Sequence, residues 1–288
     1  MTASRATVLK DLAFRLALIA CLATAIGLLV ILLVDVAIDG AGTLSIDFIN
    51  NFTSIDADRA GIQAGLWGTV WLMAICAFVV VPVGVATAVH LEEYADGRRW
   101  WNRLIELNIQ NLAAVPSIVY GILGLAFVVR GPLDLGNVVL AGGLTLALLV
   151  LPMVIIASRE ALRAVPPSIR EGSMALGATR WQTIWRQVLP AAIPGVATGV
   201  ILALSRAIGE TAPLIVVGAV AIISFNPEGL DSQFTAMPIL IFEWISRASN
   251  DVNDYKPLAA AGILLLMLLL VAMNGVAIWL RNRYEQKW

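Results

Sequence analysis

Long apolar blocks constrain this chain more than any other feature of its sequence, because about 20 consecutive apolar residues suffice to cross the hydrocarbon core of a bilayer. Six such blocks lie at residues 12–34, 66–89, 112–129, 138–157, 191–223 and 258–280. Only 14% of the residues are charged, whereas soluble domains have roughly 25%. The sequence therefore predicts an all-α polytopic membrane protein with six transmembrane helices surrounded by membrane lipid.

Three blocks need separate comment. The first is longer than the apolar region of a typical secretory signal, so we interpret it as a retained helix. The polar turn at residues 130–136 is short enough to join the third and fourth blocks as a helical hairpin. The fifth block is longer than one crossing needs and contains Pro194 and Pro213. Because proline removes a backbone donor, the sequence predicts a kink or a break in the fifth helix.

The few charges are distributed unevenly along the chain. Of the 19 Lys and Arg residues, 14 lie in the N-terminal segment, the second and fourth connections and the C-terminal segment. By the positive-inside rule, both termini are predicted to be cytoplasmic. The net charge of −1 gives no reason to expect nucleic acid as a partner.

The sequence offers little catalytic chemistry. None of the three lysines follows a glycine, so the Gly-Lys pair of a phosphate-binding loop is missing. The single histidine, His90, is interpreted as a helix-end residue, and Cys21 and Cys76 both lie in apolar blocks. No metal and no cofactor is expected. If transport is active, its energy must come from a gradient or from a partner subunit.

The longest connection on the predicted inner side covers residues 158–190. Pro166, Pro167 and Ser168 indicate a helix start, with Glu171 placed to complete a capping box, and Gly177 is suited to end the helix. A second amphipathic stretch follows at residues 180–189. The pattern predicts a helix, a turn and a second helix held against the membrane.

This connection resembles the EAA loop of permease subunits in type I ABC importers. The resemblance rests on Glu171-Gly172-Ser173, on Gly177 after three further residues and on Leu189-Pro190, at matching spacing throughout. Gly172 and Ser173 stand where alanine is usual, and Gln187 stands where isoleucine is usual. The resemblance implies a coupling helix that docks on a separate ATPase subunit, through Glu171, Gly172, Ser173, Ala175, Leu176 and Gly177. The alternative is an amphipathic loop lying on lipid headgroups.

The fifth block carries two ionisable residues, Arg206 and Glu210. Counted from Pro194, Arg206 lies roughly 18 Å along the helix, where a lone charge costs at least about 3 kcal/mol. Glu210 is four residues further on and therefore on the same face. One interpretation is a structural ion pair. The other is that Arg206 lines an anion path and Glu210 orients it, with Ser205 and Thr211 adding hydroxyl groups.

Two segments resemble permeases of the PstA type from phosphate-specific ABC transport systems. They are residues 206–214 and residues 111–121, and the overall likeness extends over residues 61–281. The stretch at 211–214 favours the PstA type over its companion, the PstC type. The resemblance implies phosphate passage at Arg206 and Glu210. From the residues alone, Pro116, Gly121 and Gly124 indicate a kinked helix with close packing, and Gly195 and Gly199 indicate a helix contact, with the partner permease as one candidate.

These expectations define a type I ABC importer permease fold in a bacterial inner membrane. Residues 1–60 would form an N-terminal helix and an acidic external loop, and residues 61–284 a permease core with its coupling loop at 158–190. The implied partners are a PstC-like second permease, a PstB-like ATP-binding subunit dimer and a PstS-like external phosphate-binding protein. Alternatives are a permease for sulfate, molybdate or phosphonate, a gradient-driven carrier or channel acting alone, and a membrane signalling component.

Overall fold

A computed structural model describes residues 5–220, 222–247 and 254–284. Every regular element among these residues is helical. Twelve α-helices are present in that part of the chain: α1 (Arg5–Ala41), α2 (Ile46–Asn50), α3 (Gln63–Val89), α4 (Trp100–Ala113), α5 (Ser117–Leu123), α6 (Val139–Arg163), α7 (Pro167–Ala175), α8 (Arg180–Thr183), α9 (Leu189–Ile208), α10 (Ala212–Val217), α11 (Met237–Ser246) and α12 (Lys256–Tyr284). Single π-helical turns extend α3, α5 and α8 at His90–Tyr94, Gly124–Val129 and Ile184–Val188.

The predicted transmembrane architecture is confirmed in its main features. Five helical segments of the described residues are long and apolar enough to cross a membrane, and the bent pair of α4 and α5 would make a sixth. The core packs α3 and α6 around small residues. A Cβ added to Gly84 would lie 2.7 Å from Val154, and one added to Gly143 would lie 2.6 Å from Ile75. The residue numbers of the contacting pairs rise together along both helices, so α3 and α6 run parallel.

The glycine pair in α9 packs within the chain. A Cβ on Gly195 would lie 2.7 Å from Ala161, and one on Gly199 would press on Ala157, so α9 runs antiparallel to α6. The predicted helix contact is therefore present, but its other side is α6 and not a partner permease. The contact places the start of α9 beside the end of α6. We call this part of the molecule, residues 90–94 and 158–190, the loop end of the bundle.

The third block departs from its predicted boundaries. The axes of α4 and of the α5 segment, Ser117–Val129, meet at 108°. Pro116 stands at the corner as the N-cap of α5, where its missing N–H and its effect on the preceding residue stop α4. The part beyond the corner has 13 residues, about 20 Å of helix, which is less than a bilayer core. The kink predicted at Pro116 is therefore present, and α4 and α5 replace the single helix predicted over 112–129. Gly124 packs on Thr145 of α6, as the hairpin prediction requires.

The fifth block is broken, as predicted. Helix α9 ends at Ile208, residues 209–211 are not helical, and α10 ends at Gly218 with φ of 92°. The following connection holds a helix that the sequence did not predict, α11, whose Met237, Leu240 and Trp244 are buried. With only 10 residues, α11 is too short for the criterion of about 20 apolar residues.

Candidate functional site

Arg206 lies in the last turn of α9, and its side chain reaches across the helix break. Its Nε donates to Oε1 of Glu210 at 3.1 Å, and its Nη1 lies 3.3 Å from Sδ of Met153 on α6. The Arg206 side chain is 42% exposed and that of Glu210 17% exposed. The predicted pair is thus formed, with the guanidinium on the open side and the carboxylate more enclosed.

The position of Arg206 along its helix differs from the sequence estimate. That estimate counted from Pro194, whereas α9 begins at Leu189 and includes Pro194 as an interior residue. At 1.5 Å per residue, Arg206 lies about 26 Å along α9 and not about 18 Å. A cation in the last turn of a helix is favoured by the carbonyl groups at that end. The helix terminus therefore helps to hold the charge of Arg206.

The break after α9 is held from the side by α5. A Cβ added to Gly121 would lie 2.8 Å from Cα of Pro213 and 3.0 Å from Cβ of Val216. The two segments that carried the likeness to PstA-type permeases thus meet in space at Gly121 and Pro213. This agrees with the packing role predicted for Gly121. The close approach also fixes where Glu210, three residues before Pro213, can lie.

The hydroxyl residues beside the pair are placed differently from each other. Oγ of Ser205 donates to Oδ1 of Asn274 on α12 at 2.5 Å, so this hydroxyl is engaged with another helix and not brought to Arg206. Thr211 is half-buried at the start of α10. Asn274 was not among the predicted site residues, although a single amide side chain within an apolar block indicates a polar contact between helices.

A second polar contact joins the same two helices. Nη1 of Arg281 donates to Oγ1 of Thr198 at 3.3 Å. Thr198 and Ser205 are seven residues apart on α9, as Asn274 and Arg281 are on α12, so both contacts lie on one face of an antiparallel pair. Together they fix the rotation of α9 about its own axis.

The candidate coupling loop, residues 158–190, has the predicted helix, turn and helix. Helix α7 is followed by Gly177 with φ of 86°, a left-handed conformation that suits glycine. Within the candidate coupling residues Glu171, Gly172, Ala175, Leu176 and Gly177 are exposed, while Ser173 is half-buried with its hydroxyl 2.9 Å from that of Thr183. Leu176 is 91% exposed. These residues present a surface that is open in the isolated chain.

The predicted capping box at Ser168 and Glu171 is wrong. Helix α7 has Pro166 as its N-cap and Pro167 inside its first turn, so Ser168 already lies within the helix. A capping box occurs instead at α8, where Thr179 accepts from Gln182 N and the Gln182 side chain accepts from Thr179 N. Proline at the first position starts α7 without a side-chain cap because its missing N–H needs no partner.

Arg170 on α7 binds three residues outside its own helix. It donates to Oε1 of Glu93 at 3.1 and 2.7 Å, to the carbonyl of Val165 at 2.7 Å and to the carbonyl of Leu162 at 2.9 Å. Glu93, after α3, is buried, and the two carbonyl groups are at the end of α6. Arg170 thus clamps the candidate coupling helix to α3 and α6.

Neighbouring charges at the loop end tie α3, α4 and α6 together. Glu92 pairs with Arg159 at 3.4 Å and with Arg163 at 3.0 Å, and Glu106 of α4 pairs with Arg159 at 3.1 Å. These carboxylates were not among the predicted site residues. His90 ends α3, as predicted, and its ring stacks on Tyr94. In the described ranges no cluster of three or more His, Cys, Asp or Glu side chains could hold a metal ion.

Comparison with known proteins agrees with this architecture. Residues 80–286 match the family described as "Binding-protein-dependent transport system inner membrane component". The probable ABC transporter permease protein YqgI of Bacillus subtilis is 30% identical over 276 residues, covering 93% of each chain. The phosphate transport system permease protein PstA of Haemophilus influenzae is 30% identical, covering 82% of this chain and 80% of the relative. The inward-facing MetNI methionine transporter matches with TM-score 0.63 and 17% identity over 77% of this chain and 95% of the solved one.

A bundle of helices long enough to span a membrane, in the fold of solved importer permeases, defines the class of membrane permease subunits. More specifically, the chain belongs to the family of binding-protein-dependent transport system inner membrane components, the permeases of ABC importers. Members of this family work with an ATP-binding subunit and with a substrate-binding protein. The family supplies the membrane component of the transporter, and the ATPase is a separate subunit.

Proposed function

We propose that this chain is a permease subunit of a phosphate importer and that phosphate passes Arg206. The single observation that carries the proposal is the exposed guanidinium at the helix break, oriented by the more enclosed carboxylate of Glu210. Guanidinium matches the geometry of a tetrahedral oxyanion, and a nearby carboxylate neutralises it when no anion is bound. The relatives named PstA support phosphate as the anion.

The face of α9 that carries Arg206 is unpacked in the isolated chain. Leu202, Arg206 and Gly209 follow one another at helical spacing, and all three are exposed. A membrane face with a charge at its end is expected to border a wet path and another protein and not lipid. We assign the second side of the path to a PstC-like permease, with alternating access opening it to each side in turn.

The loop end is assigned to the cytoplasm. The connection at residues 158–190 carries five arginines, and the positive-inside rule places such a connection on the inner side. Both termini are then cytoplasmic as well. In this orientation the exposed residues of α7 and the following turn, from Glu171 to Gly177, dock on a PstB-like ATP-binding subunit. The opposite end receives phosphate from a PstS-like binding protein. Residues 61–284 form the permease core, and residues 1–60 are an addition to it.

The test is phosphate uptake by the assembled transporter in proteoliposomes. Arg206→Ala removes the cation of the pair. We expect uptake to fall at least about 100-fold, the usual loss when one group that stabilises a passing or developing charge is removed. Arg206→Lys keeps the charge but not the planar fork, and should retain partial activity. Arg130→Ala, in the exposed turn between α5 and α6, is the matched control. Undiminished uptake by Arg206→Ala would refute the assignment.

Two rivals give different results in the same system. If the natural substrate is another oxyanion, binding assays with the partner binding protein will favour sulfate, molybdate or phosphonate over phosphate. If the chain works as a gradient-driven carrier or channel, phosphate flux will persist in vesicles that lack the ATP-binding subunits.

A further inference from the structure

An apolar groove runs along the outside of the bundle at its loop end. It has a volume of about 510 Å³ and lies between the last turns of α3 and the segment that links α8 to α9. Its walls are almost entirely apolar and include Pro82, Val85, Val89, Trp181, Ile184 and Trp185. Ile184 forms the buried floor, whereas the two tryptophans are exposed with their rings 5.2 Å apart. The groove is therefore open to the surroundings of the bundle.

The surroundings of the groove are the membrane boundary. Pro82 and Ala86 continue an exposed stripe of α3 that includes Phe78, which is 82% exposed. The segments that form the groove are the end of one candidate membrane span and the start of another. Tryptophan and tyrosine are enriched where a helix meets the lipid headgroups. An occupant of this groove must suit hydrocarbon at one end and headgroups at the other.

The polar groups of the groove lie at one end only. His90 and Tyr94 line that end, and the guanidinium carbon of Arg180 lies 5.4 Å from the centre of the Tyr94 ring. Among the described residues no carboxylate is within ion-pair distance of Arg180, because Glu92 and Glu93 bind Arg163 and Arg170 instead. The groove thus combines an apolar wall with a cation whose charge is not neutralised by the chain.

We propose that this groove binds an anionic phospholipid, with an acyl chain between Pro82 and Trp185 and the headgroup phosphate at Arg180. The proposal rests on the proposed function only in placing the loop end at the inner leaflet. Arg180, Trp181 and Trp185 follow the candidate coupling helix directly, so a bound lipid would brace the second half of the coupling loop. Basic and aromatic residues at the inner boundary are the groups that recognise anionic headgroups.

The experiment compares lipid binding by the assembled, delipidated transporter, using native mass spectrometry with phosphatidylglycerol and phosphatidylcholine as probes. One guanidinium near an anionic headgroup contributes about fivefold in affinity. Arg180→Gln should therefore lower phosphatidylglycerol binding about fivefold and lower phosphatidylcholine binding less, because the choline ammonium already offsets the phosphate charge of that lipid. Ala86→Trp, which fills the groove, should lower the binding of both lipids. Arg283→Gln is the matched control, because Arg283 also stacks on an aromatic ring, that of Trp279, but lines no part of this groove.

Two results would overturn the proposal. One is an unchanged preference for phosphatidylglycerol in Arg180→Gln. The other is efficient cross-linking of Trp185→Cys to a partner subunit, which would show that protein covers the groove. Lipid binding is measured without phosphate or ATP, so a failure of phosphate transport leaves this test intact, and a failure here leaves the transport assignment intact.

Discussion

The clamp around Arg170 gives the sharpest test of how the coupling loop is joined to the membrane helices. Replacing Glu93 with Gln keeps the size of the side chain and removes its charge. Arg170 would keep its bonds to the carbonyl groups of Leu162 and Val165 but lose the carboxylate that receives two of its four hydrogen bonds. Since α7 contacts α3 through this carboxylate, the substitution acts mainly on that junction.

The size of the effect follows from burial. Removing one partner of a fully buried ion pair costs about 3–5 kcal/mol. The side chain of Glu93 is 8% exposed and that of Arg170 is 21% exposed. Because water partly screens Arg170 and glutamine still offers an acceptor oxygen, we expect a cost of about 2–3 kcal/mol. Such a cost raises the fraction of detached α7 about 30- to 150-fold.

Hydrogen exchange of the α7 amides in the assembled transporter measures that fraction directly. Protection should fall by the same factor in Glu93→Gln. The proposed function predicts in addition that more ATP is hydrolysed per phosphate transported. Glu160→Gln is the matched control, since Glu160 pairs with Arg163 at the surface with 64% exposure, where a pair contributes about 1 kcal/mol or less. Unchanged protection of α7 in Glu93→Gln would refute the reasoning.

Three substitutions test the packing and backbone arguments by thermal unfolding in detergent. Gly199→Leu should destabilise the protein by about 1–3 kcal/mol, because its side chain would collide with Ala157, whereas Gly275→Leu, with nothing within 4 Å, should not. Gly177→Ala should cost about 1–2 kcal/mol because its φ of 86° is left-handed; the same change at helical Gly172 should be neutral or slightly stabilising. Asn274→Leu should cost only about 0.6 kcal/mol, the typical value of a hydrogen bond between membrane helices.

Much of the architecture could be predicted because the membrane imposes simple rules. Apolar length located α1, α3, α6, α9 and α12, since each exceeds the hydrocarbon thickness. The proline and glycine signals located the break before Pro213 and the end of α7 at Gly177. These features depend on local sequence alone, so the composition of a short window was sufficient.

The misses arise where tertiary contacts decide. The kink at Pro116 was predicted, but its angle of 108° and the short buried helix α11 were not, and packing against the bundle stabilises both. Burial of Met237 and Leu240 stabilises α11, which is too short to be stable as an isolated helix. The Ser205–Asn274 bond and the Arg170–Glu93 pair each join residues more than 65 positions apart. Sequence spacing holds no information about such pairs.

The arrangement of α9 links the two ends of the molecule mechanically. The helical segment runs without interruption from Arg180 to Ile208, so Arg206 stands about 39 Å along the helix from Arg180. A tilt of about 5° at the loop end would therefore move Arg206 by about 3 Å. Residues 209–211 are not helical and can absorb that displacement, while Gly121 holds Pro213 in place on the far side. The break directly after Arg206 thus separates the arginine, at the end of the long helical segment, from α10, which is packed on α5 at Gly121.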